Sequence, residues 1–124
     1  MRDPQSLPQE NKDVFKHIDA ATLLRHAGGD PALVRELLGI FVRTFATDIE
    51  RLNAAVQADD VLQIRHLLHR VKGSLQILGA QATIDRIELV SDSLGNQIGV
   101  DQARALQHLF QCFDEILQEA ILQA

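Results

Sequence analysis

Four stretches of this chain repeat apolar residues at steps of three and four, and each is bounded by residues that start or stop helices. In the first stretch Asp30-Pro31 places a capping residue before a proline at the first helical position. Val34, Leu37, Leu38, Phe41, Phe45, Ile49, Leu52 and Val56 then mark one face, up to a break at Ala58-Asp59-Asp60. Asp60 with Gln63 forms a capping-box pair for a helix from Val61 to about Leu78. Its stripe is Ile64, Leu67, Leu68, Val71, Leu75 and Leu78, and Gly79 follows as a stop. A further helix is predicted from about Gln81 to Leu94, with Ile84, Ile87, Val90 or Ser91, and Leu94 inward, ending at Gly95-Asn96. The last runs from about Asp101 to Leu122, with Leu106, Leu109, Phe110, Phe113, Ile116, Leu117, Ala120 and Ile121 inward. A short helix, capped by Asp19 and stopped at Gly28-Gly29, precedes the four. Short connections between long amphipathic helices imply an all-α fold. The expected form is an up-down-up-down antiparallel four-helix bundle with a short additional N-terminal helix.

The length of 124 residues suits one domain, and 46% hydrophobic residues can build its core. Residues 1–17 read as a flexible tail or linker, since Met1 to Lys12 is polar and carries two prolines; residues 18–124 read as the folded domain. The net charge of −5 argues against a general nucleic-acid binder. No run of about 18 apolar residues and no export signal is evident, so membrane insertion is not expected and a reducing, cytoplasmic setting is. Cys112 sits in an apolar helical pattern and reads as a small buried hydrophobe. His17, His26 and His108 read as surface residues.

If the stripe of the Val61–Leu78 helix faces the core, its opposite face carries Arg65, His66, His69, Arg70, Lys72, Gly73 and Gln76. His69, Lys72 and Gly73 stand at i, i+3 and i+4 and are surface neighbours. Three features coincide there. Gly73 lies mid-helix, where glycine costs about 1 kcal/mol relative to alanine; close approach of another body would give it a reason. No acidic residue occurs from Val61 through Ile84, although the protein is acidic overall. A histidine occupies the centre of that basic face. An exposed imidazole is largely uncharged near neutral pH and is a competent nucleophile. Phosphoryl transfer needs such a nucleophile in line, with positive charge near the phosphoryl oxygens, and Lys72 can supply it. A metal site from His66 and His69 is not expected, because no carboxylate or Cys nearby in sequence completes it.

The string His69-Arg70-Val71-Lys72-Gly73-Ser74, with Gly79 ten residues after the histidine, resembles the signature of histidine phosphotransfer (HPt) domains. Arg25-His26-Ala27-Gly28-Gly29-Asp30-Pro31, Leu37-Leu38-Gly39-Ile40-Phe41 and Asp59-Asp60 are similar to the family's upstream segments, so the resemblance spans about residues 18 to 122. It implies a four-helix bundle with an extra N-terminal helix. It also implies that His69 takes a phosphoryl group on Nε2 from a receiver-domain aspartate and passes it to another receiver. Lys72 would be the supporting cation, Gly73 the clearance position and Ser74 a small polar neighbour; Arg65, His66, Arg70 and Gln76 would complete the partner-binding face.

The implied partners are response-regulator receiver domains and a hybrid sensor histidine kinase. The domain is expected to be monomeric, to bind no cofactor or metal, and to have no ATP-dependent kinase activity; Mg²⁺ belongs to the receiver. The chain departs from the family in one respect. The position 22 residues after the histidine, commonly Gln or Glu and used to orient the imidazole, is Ser91. Ser91, Gln76 or water remain open as the ring's partner, and Glu88 matches an acidic position often seen in the family. A regulator that docks on a receiver through the same face without transferring phosphate is the competing reading.

Overall fold

The caps read from the sequence are formed almost where expected in the computed structural model, which describes residues 15–124. The five helices among them are α1 (Ala20–His26), α2 (Pro31–Gln57), α3 (Val61–Leu78), α4 (Gln81–Ser93) and α5 (Val100–Gln123). Asp19 accepts from the Ala21 amide at 3.2 Å and Asp30 from the Ala32 amide at 3.0 Å, each satisfying a donor that the helix leaves free. Asp60 accepts from the Gln63 amide at 3.2 Å. Only that half of the capping box forms among the described residues: the Asp60 amide donates instead to the Ala55 carbonyl at 2.9 Å, closing the end of α2.

Gly79 ends α3 in the left-handed region, at φ 66°. A β-carbon there would lie 2.7 Å from the Thr22 β-carbon and 2.8 Å from that of Asp19. Glycine therefore serves twice, as a backbone stop and as the space into which α1 packs. The Asp19 amide donates to the Leu78 carbonyl at 2.9 Å, fixing α1 across this end of the bundle.

The four long helices form a ring in which α2 and α4 each pack against both α3 and α5. At its centre Phe45 and Phe113 are fully buried and meet edge to face at 5.6 Å, with Phe41 stacked on Phe45 at 4.5 Å. Every residue of the predicted α3 stripe is buried. So is Cys112 on α5. No helix among the described residues is long and apolar enough to cross a membrane.

Three expectations need correction. Ordered packing begins before residue 18: Phe15 is buried in the core, and the His17 and Ile18 amides donate to the Glu119 carboxylate at 3.0 and 3.2 Å. The remainder of the expected tail, residues 1–14, lies outside the described residues. His17 is not a free surface residue; its side chain is only 13% exposed and meets Glu115 at 3.2 Å. Ile121, expected inward, is 46% exposed, while the acid Glu119 is buried in the stripe because backbone N–H groups satisfy it.

Candidate functional site

The orientation of α3 is set by what it buries. With Leu67, Leu68 and Val71 in the core, the angular period of the helix leaves His66, His69, Gly73 and Gln76 on the solvent side. A β-carbon on Gly73 would meet nothing within 4 Å, so no contact inside the protein explains the glycine. The surface beside His69 is open as far as that position.

On the α4 side His69 overlooks a cleft of about 380 Å³, lined by Arg65, His69, Lys72, Ile87, Glu88, Ser91 and Asp92. Residues expected to act with the histidine therefore meet in one place: Arg65 and Lys72 from α3, Ser91 from α4. The Arg65 guanidinium donates to the Leu94 carbonyl, which ties it to the C-terminal end of α4. The Lys72 ammonium lies 3.3 Å from Glu88. Gln76 stands two turns from His69 and does not line the cleft. Among the described residues no side chain hydrogen-bonds the His69 ring, so neither Ser91 nor Gln76 holds it here. Ser74 turns back on its own helix and donates to the Arg70 carbonyl at 3.5 Å.

The basic surround read from the acid-free window is incomplete. Neighbouring helices return the missing acids. Glu88 and Asp92 face Arg65 and Lys72 in the cleft, two carboxylates against two cations. On the other flank Arg70 reaches Asp48 of α2 at 3.4 Å. Asp48 lies in the α2–α3 seam with its side chain 3% exposed, whereas that of Arg70 is 46% exposed. Sequence inspection missed Asp48 because the apolar count along α2 steps over a polar residue; its position between Phe45 and Leu52 was the available signal. Among the described residues no group of three or more His, Cys, Asp or Glu side chains is arranged to hold a metal ion.

An all-helical bundle that presents an exposed imidazole at mid-helix, with a cation one turn on and open space beside it, has the form of a phosphotransfer bundle. The chain belongs to the Hpt domain family, whose family model matches residues 36–122; the family mediates histidine phosphotransfer in phosphorelays. Virulence sensor protein BvgS of Bordetella pertussis is 29% identical over 80 residues, covering 64% of this chain and 6% of that protein. Those of Bordetella bronchiseptica and Bordetella parapertussis match with the same identity and coverage. The matched segment is thus a small fraction of these relatives' length. No solved structure matches the chain.

Proposed function

We propose that His69 is the phospho-acceptor of a His-Asp phosphorelay, taking its phosphoryl group from the aspartyl phosphate of one receiver domain and returning it to another. The observation that carries this reading is the placement of His69: exposed at mid-helix, beside the clear space at Gly73, and lining one cleft with Lys72. The Nε2 lone pair forms the bond to phosphorus while the bond from phosphorus to the aspartyl oxygen breaks, and the carboxylate leaves with the electron pair. The Nδ1 proton of the reacting tautomer passes to water. Lys72 lies one helical turn from the nucleophile, where its charge supports the phosphoryl oxygens.

Gly73 admits the partner's backbone, and the exposed flank of His66, Arg70 and Gln76 with Arg65 completes the contact. Mg²⁺ sits on the receiver, and this domain brings no cofactor of its own. It works as a monomer in a cytoplasmic setting, with receiver domains and a hybrid sensor kinase as partners. Incubation with a phosphorylated receiver should give acid-labile label that His69→Gln abolishes. Label that survives in His69→Gln and disappears in His66→Gln would move the acceptor to His66. Tight receiver binding without label in the unaltered protein would support the docking-only regulator instead.

A further inference from the structure

The cleft beside His69 holds a conflict. A phosphoryl group arriving on the imidazole brings negative charge into a space already lined by Glu88 and Asp92. The cleft's cation one turn on from the histidine, Lys72, is engaged with Glu88 at 3.3 Å. That pair is not a buried structural link, for the Glu88 side chain is 55% exposed and that of Lys72 is 26% exposed. Pairs of this kind contribute little to folding and break readily. Arg65 is tied elsewhere, to the Leu94 carbonyl, so it does not relieve the competition.

We propose that Glu88 is a positioning residue for phosphoryl transfer: it draws the Lys72 ammonium to itself and must share or release it when His69 is phosphorylated. The proposal rests on the reading of His69 as acceptor. Its consequence is a phosphoryl group bound less firmly than a free lysine would allow, which suits a carrier that must give the group up as readily as it takes it. Glu88 touches neither the phosphoryl group nor the imidazole in this scheme and acts through Lys72. Asp92, on the same wall of the cleft, has no ion-pair partner among the described residues and contributes general repulsion that does not depend on Lys72.

The test uses phosphoramidate, a small donor that needs no receiver. The His69 Nε2 lone pair attacks the phosphorus of the zwitterionic, N-protonated donor, the P–N bond breaks, ammonia leaves with the electron pair, and the Nδ1 proton passes to water. Charging is followed by ³¹P NMR in the unaltered protein, Glu88→Gln, Lys72→Gln and the double variant. Freeing Lys72 should make Glu88→Gln charge faster by about two- to fivefold, the range expected for one surface charge at ion-pair distance. The phosphohistidine resonance should also shift. In the Lys72→Gln background the Glu88 substitution should change neither rate nor resonance appreciably.

An unchanged or slower rate in Glu88→Gln would overturn the proposal. Equal acceleration in both backgrounds would overturn it too, because Glu88 would then act on the donor without Lys72. Failure of the unaltered protein to charge on His69 at all would instead remove the phospho-acceptor reading on which the proposal stands.

Discussion

At the scale of single residues, Gly73 separates function from stability. Glycine within a helix costs about 1 kcal/mol relative to alanine, and a β-carbon at this position meets nothing within 4 Å. Gly73→Ala should therefore raise stability by about 0.5–1 kcal/mol in urea denaturation. Gly73→Arg should leave the fold intact while blocking receiver docking, because the long side chain occupies the approach to His69. Unchanged transfer kinetics in Gly73→Arg would remove the clearance argument. The histidine, Lys72 and Gly73 were all legible in the sequence, since their relation is local and set by helical spacing alone. The engagement of Lys72 with Glu88 was not: 16 residues separate them, and only the packing of α4 on α3 brings them together. The same limit hid the acids that temper the basic face.

At the scale of helices, the starts and stops were legible because capping is local chemistry, and the Asp30-Pro31 and Gly79 boundaries fall where that chemistry places them. What a helix buries was legible only for its apolar residues. Asp48 is the instructive exception. Its side chain sits in the α2–α3 seam and is compensated by a guanidinium that arrives from the other helix at 3.4 Å. The pair itself adds little, since the Arg70 side is open to solvent. Removing the arginine is a different matter, because it strands a buried carboxylate. Arg70→Met should destabilise the protein by about 1–3 kcal/mol in urea denaturation. Asp48→Asn combined with Arg70→Met should recover part of the loss, since no charge then remains in the seam. Wild-type stability in Arg70→Met would show that Asp48 is satisfied without its partner.

At the scale of the whole molecule, the chain's entry into the bundle is fastened by carboxylates of α5. Phe15 enters the core, the Glu119 carboxylate accepts the His17 and Ile18 amides, and Glu115 meets His17 at 3.2 Å and Lys16 at 3.3 Å. The pairing was not legible in the sequence, because the two sides lie about a hundred residues apart and Phe15 and Ile18 directly follow a polar, proline-bearing stretch. The hydrogen bond from His17, and after it that from Lys16, lowers the Glu115 pKa from its ordinary value. A carboxyl group whose pKa is lower in the folded state stabilises that state above its unfolded pKa. The contribution is lost as pH falls through the lowered value. The fastening should therefore loosen on the acid side of neutrality, at and below the ordinary carboxylate range of about pH 4. Hydrogen-exchange protection of the His17 and Ile18 amides, corrected for the intrinsic exchange rate, reads this directly. Protection in the unaltered protein should exceed that in Glu115→Gln near neutral pH, and the difference should vanish as the solution is acidified. A difference that persists undiminished into acid would show that Glu115 fastens the segment by packing and not by its charge.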